Sequence, residues 1–125
     1  MTRSAGELYA VLMYADPDHT RAMSRSELDA VAAKHEAFRR DLTRSGELRN
    51  GAGLVFPNET TVLVLSDGDV AARTGPLHAS SGEHLTAYYV IECATPERAR
   101  SIAARTLDDH VTAVELRRIH DTAGM

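Results

Sequence analysis

The sequence predicts an α+β fold of the ferredoxin-like kind, an antiparallel sheet with two main helices on one face. Three observations carry that prediction. Apolar runs of strand length alternate with two segments of helical periodicity; an Asp67-Gly68 pair sits between two β-forming runs; and the elements follow the order strand, helix, strand, two-stranded hairpin, strand, helix, strand. The 125 residues fit a single domain spanning 1–125.

Each element has a local reason. Leu8 to Tyr14 (LYAVLMY) is a continuous apolar run rich in β-formers, and Asp16-Pro17-Asp18 reads as the turn that ends it. Ser24 precedes Glu27 by three residues, the spacing of a capping box. From there Leu28, Val31, Ala32, His35, Phe38 and Leu42 recur at helical intervals until Ser45-Gly46 closes the first helix. Leu48 to Val55 is a strand that Asn50-Gly51 and Gly53 interrupt, which predicts a bulge or bend. Thr60 to Ser66 and Asp69 to Arg73 form a hairpin about Asp67-Gly68. Gly75-Pro76 opens an irregular loop through Ser80-Ser81-Gly82, and His84 to Cys93 is the longest strand. Thr95, Pro96 and Glu97 supply an N-cap, an N1 proline and a first-turn acid for a helix running to Leu107, and Val111 to His120 alternates as the last strand.

Composition narrows the function. With 43% hydrophobic residues the chain can bury an ordinary core without disulfides or metals. A formal net charge of −4, with no segregated basic patch, argues against nucleic acid and anionic membrane surfaces as partners. The apolar run at Leu8 is too short to span a bilayer and has no signal-peptide cleavage site after it, and a single cysteine, Cys93, points to a reducing, cytoplasmic setting. No phosphate-binding glycine pattern is present, and no cofactor is expected.

Strand patterning adds a partner. The first strand, the His84 to Cys93 strand and the hairpin's first strand are apolar at consecutive positions, as when both faces of a sheet are covered, yet two helices cover only one. A second copy of the chain is the simplest cover, which predicts a homodimer packed sheet to sheet; the alternative is a monomer whose long loop folds over the open face.

Taken in order, LYAVLMYADPD, KHEAFRRDLTRSGELRNGAGL, TTVLVLSDGDV, TGPLHASSGEHLTAYYVIE and VELRRI resemble the YCII-related, or DGPF-domain, family over nearly the whole chain. The resemblance implies the dimeric α+β barrel architecture, and some members are similar to lyases or dehydrochlorinases that act on small ring compounds with a His–Asp pair. The chain departs from the family where Asp-Gly-Pro-Phe is usual: Thr74-Gly75-Pro76-Leu77 stands there, followed by His78-Ala79 in place of a small residue and glutamate. No role for that loop's carboxylates carries over.

His35 falls on the apolar stripe of the first helix and is expected to face the sheet, where an imidazole can exchange protons at neutral pH; the alternative is a core histidine bonded to a backbone carbonyl. The resemblance, in which a histidine recurs at this helix position, favours a general acid/base. Asp16 is chosen as its carboxylate, with Asp108 and Asp109 as alternatives, although His35 lies eleven residues beyond Ser24, about 16 Å along a helix, and Asp16 otherwise reads as a turn residue. Tyr14, His78 and Tyr88 are the expected ligand contacts, the tyrosines offering an apolar ring with one polar tip; core or interface packing is their alternative. Tyr88 and Tyr89 point to opposite faces. His19, His78 and His84 fit no metal-ligand spacing, so no metal is expected. Two functions follow: a cofactor-free lyase or isomerase acting on a small organic metabolite, ring or polyketide-like, or a non-catalytic ligand-binding or accessory protein of the same fold.

Overall fold

The computed structural model describes residues 6–78 and 82–122. Strand β1 (Glu7–Ala15) leads into a short helix α1 (Pro17–Ala22) and a long helix α2 (Arg25–Ser45). Then come β2 (Leu48–Gly53), a 3₁₀ turn at Pro57–Glu59, the hairpin β3 (Thr61–Ser66) and β4 (Asp69–Thr74), β5 (His84–Cys93), α3 (Pro96–Ala104) and β6 (Val111–Arg118). The main sheet has the order β2-β5-β1-β6 with every neighbour antiparallel, the ferredoxin-like arrangement. Among the described residues no helix is long and apolar enough to cross a membrane.

Both long helices pack on one face. Phe38 and Leu42 of α2, and Ala99, Ile102 and Ala103 of α3, close over Tyr9, Val11 and Met13 of β1 and Tyr89, Ile91 and Cys93 of β5. Cys93 is therefore packing, as its strand position predicts. The opposite face is built from the alternate positions Leu8, Ala10, Leu12 and Tyr14, with Leu12 paired to Tyr88 on one side and Glu115 on the other. Leu8, Leu12, Tyr14 and Tyr88 are only half-buried there, so this side of the sheet has no helix layer.

The local signals act as expected at most element ends. Ser24 and Glu27 form both bonds of the capping box, and Gly46 closes α2 in the left-handed conformation at φ 81°. β2 carries its irregularity between Leu48 and Asn50, in the bend-prone stretch. β5 spans the residues expected of it, and Tyr88 and Tyr89 do face opposite ways. Strands β2 and β6 each end two residues before the expected Val55 and His120, at Gly53 and Arg118, and two further elements differ more. Asp16-Pro17-Asp18 does not simply end β1: the Asp16 carboxylate accepts from the Asp18 N–H at 2.9 Å and Pro17 occupies N1, so the turn chemistry starts α1. Helix α3 stops at Ala104, three residues before Leu107, where Arg105, Thr106 and Leu107 switch to i→i−3 bonds.

The hairpin forms a two-stranded sheet of its own, turned by Asp67 and Gly68 at φ 50° and 83°. Only Val62 is buried, while Leu63, Leu65 and Val70 are 66%, 76% and 71% exposed. Of the loop that follows, Ala79, Ser80 and Ser81 lie outside the described residues.

Candidate functional site

The N-terminal half of α2 stands off the sheet. Of its 21 residues only Phe38 and Leu42, in the last two turns, are buried, and Val31 and His35 are half-buried. Between that overhang and the sheet lies a cleft of about 570 Å³. Val31, His35 and Arg39 line it from the helix, Gly51 to Leu54 from β2 and its exit, Ala87 and Tyr89 from β5, and His110 and Val111 from the start of β6. Small residues on β2 are what make room. A Cβ on Gly51 would sit 2.4 Å from Cδ1 of Tyr89, so the tyrosine ring lies flat across β2 only because glycine is there.

His35 faces the sheet, as the helical stripe predicts. Its Nδ1 is 3.4 Å from the Tyr89 hydroxyl, to which Arg39 Nη1 also donates at 3.3 Å. The Tyr89 ring is held against Phe38 at a centroid distance of 4.9 Å. A phenol carries one proton; with the oxygen accepting from Arg39, that proton is free to be given to His35 Nδ1. In that arrangement neutral His35 carries its own proton on Nε2, the nitrogen on the far side of the ring from Tyr89. Its pKa is lowered, first by burial, with Lys34, Arg39 and His110 adding positive repulsion and Asp108 opposing.

Asp108 is thus the carboxylate whose field reaches His35. It is heavily committed elsewhere: Oδ2 takes a 2.9 Å ion pair from Lys34 Nζ, and Oδ1 accepts the backbone N–H groups of His110 and Val111 at 2.7 and 2.6 Å. Burial alone would raise its pKa, but these bonds outweigh burial and hold it low. The same bonds fix the turn that carries His110 into the cleft. His110 Nδ1 meets the Thr20 hydroxyl at 3.1 Å, and its pKa is lowered, mainly by burial.

The remaining sequence candidates lie elsewhere. Asp16 is occupied as the cap of α1 and does not line the cleft. Tyr14 donates to Glu115 Oε1 at 2.5 Å on the helix-free face, a bond that raises its pKa. It shares with exposed His78, and with Leu77, His84 and Leu85, an open depression of about 910 Å³. Tyr88 is on that helix-free face too. The sheet therefore separates Tyr14 and Tyr88 from His35. Among the described residues no cluster of three or more histidine, cysteine or acidic side chains converges as metal ligands would.

Arg39, His110 and Thr20 were not among the sequence candidates, and of the Tyr88–Tyr89 pair it is Tyr89, not the expected Tyr88, that lines the cleft. Arg39 had a signal, since it follows His35 by four residues on the same helix face. His110 had a weaker one, an Asp-x-His step at the entrance of a strand, where an aspartate turn aims the third side chain inward.

A family model for the YCII-related domain matches residues 8–120. The chain belongs to the YCII-related domain family. The match spans β1 through the end of β6 and so contains the whole cleft. A relative, the uncharacterized protein R00369 of Rhizobium meliloti (strain 1021), is 34% identical over 96 residues, 77% of each chain.

Proposed function

We propose that this YCII-related protein is a small cofactor-free enzyme of the lyase or isomerase class, in which His35 handles a proton or stabilises developing negative charge on a small organic substrate held in the α2 cleft. The observation that carries the reading is that His35 is open to a cleft and tied to a side-chain relay. A histidine serving only the core would have its polar atoms closed off by backbone. Here Nδ1 is held by Tyr89, leaving an Nε2–H donor for a substrate oxygen. Burial keeps the imidazole neutral at pH 7, the form able to donate without first being charged.

Cleft chemistry narrows the ligand. Met13, Val31, Ala52 and Leu54 offer apolar contact, and Arg39 is the one permanently charged side chain among the described lining residues. A small apolar molecule with a single anionic or enolisable carbonyl group fits both. A second copy covering the half-buried Leu8, Leu12 and Tyr88 face would leave this cleft on the outer, helical side of each subunit, so the site is complete within one chain.

The test is a comparison of the purified wild type and His35→Gln, each incubated with a pool of small carboxylic and keto acids and followed by mass spectrometry. Wild type is expected to deplete a compound that the variant leaves untouched. Equal depletion by both would refute the role of His35, and binding without conversion would favour a ligand-carrying protein.

A further inference from the structure

We propose that His110 is the base that works opposite His35, and that the two imidazoles are held in complementary tautomers across the same cleft. The inference rests on the reading of His35 above, which supplies a donor and leaves the proton acceptor to be found. Of the three carboxylates weighed as the partner of His35, Asp16 caps α1, Asp108 holds Lys34 and two backbone N–H groups, and Asp109 is exposed and does not line the cleft. His110 lines the cleft with His35 and belongs also to an adjoining hollow of about 290 Å³ on the α1 side.

A proton count assigns the tautomer. The Thr20 hydroxyl donates its single proton to the Asp16 carbonyl at 3.2 Å, the back-bond of a threonine within a helix. Its contact with His110 Nδ1 at 3.1 Å then has the imidazole as donor, so neutral His110 carries its proton on Nδ1 and a bare lone pair on Nε2. For His35 the count at Tyr89 gives the reverse, a bare Nδ1 and a protonated Nε2. One histidine can take a proton while the other donates a hydrogen bond, and Thr20 is the positioning residue that decides which.

The step this permits balances without a co-reactant. His110 Nε2 removes a proton from a substrate carbon beside a carbonyl; the C–H pair becomes the enolate double bond, and the carbonyl pair moves onto oxygen, where His35 Nε2–H donates to it. The His110 imidazolium then returns the proton to another carbon of the same enolate, shifting the double bond, or to a group leaving with its electron pair.

The tautomers are read directly by long-range ¹H–¹⁵N correlation in histidine-labelled protein at pH 7.5, in wild type and Thr20→Val. The expected result is Nδ1–H at His110 and Nε2–H at His35 in wild type. Thr20→Val should move His110 toward Nε2–H by roughly fivefold, the weight of one neutral hydrogen bond, and leave His35 unchanged. Diethylpyrocarbonate, which acylates a bare ring nitrogen, should modify His110 in wild type faster than His35, whose bare nitrogen faces Tyr89. Nε2–H at His110 in wild type overturns the proposal while leaving His35 as a donor. Nδ1–H at His35 overturns the reading beneath it. Should Thr20→Val fail to fold, the wild-type spectrum alone decides.

Discussion

Replacing Tyr89 by Phe removes one oxygen and keeps the ring, which makes it a clean perturbation of the His35 relay. The ring still packs on Phe38, so no cavity opens. What is lost is the 3.3 Å bond from Arg39 and the 3.4 Å bond to His35, both at the long end of the useful range. Arg39 and His35 line an open cleft, so water can take up the freed groups and the full penalty of a buried orphan does not apply. Two long bonds, one of them from a charged guanidinium that water can re-solvate, at about 0.5 kcal/mol each give a loss of about 1 kcal/mol, against about 3–5 kcal/mol for truncating an aromatic core residue to Ala. Urea denaturation should show that loss with an unchanged slope, and Tm should fall by roughly 3–5 °C for a chain this size. The His35 nitrogen spectrum should change in the same variant, because nothing then holds Nδ1 as an acceptor. A stability loss near that of Ala, or a His35 spectrum identical to wild type, would refute the assignment of the Tyr89 proton.

Three other outcomes are expected. Unfolded histidine titrates near its ordinary value of 6.5, while His35 and His110 titrate lower in the fold, so their contribution to stability is flat above pH 6.5 and declines as pH falls below it, where the unfolded chain binds protons first. Denaturation midpoints between pH 7.5 and 5 should decline less steeply in His35→Gln, and an equal slope would contradict the burial of that imidazole. Gly51→Ala should cost about 1–3 kcal/mol by pushing Tyr89 off β2, and a variant as stable as wild type would show that the ring has room to move. If a second copy covers the helix-free face, sedimentation at micromolar concentration should find a dimer that Leu12→Lys converts to a folded monomer; a monomeric wild type would remove the sheet-to-sheet arrangement.

The elements were legible wherever a local rule decides them. Ser24 with Glu27, Gly46, Thr95-Pro96 and Asp67-Gly68 each act through neighbours a few residues away, and each sits where its rule puts it. The Asp16-Pro17 step was ambiguous for a physical reason: a cap and a turn use the same side-chain bond, and only the residues after it, through Ala22, make it a helix. His35 was legible because helical periodicity says which way a side chain faces. Its surroundings were not. Tyr89 is 54 residues away and reaches His35 by crossing β2 at a glycine, and His110 is brought in from the far edge of the sheet by a turn and by Thr20 of α1, a helix where the sequence predicts only a turn. Long-range placement of this kind follows from sheet order, β2-β5-β1-β6, which no local pattern encodes.

What decides the account most directly is the proton affinity of His35 itself, followed through its ring ¹³Cε1 resonance as the folded protein is titrated. A midpoint below 6.5 is expected, with the neutral ring protonated at Nε2. A midpoint above 6.5 would mean that a cation sits in the cleft near neutral pH, and the neutral donor on which the chemistry depends would be absent.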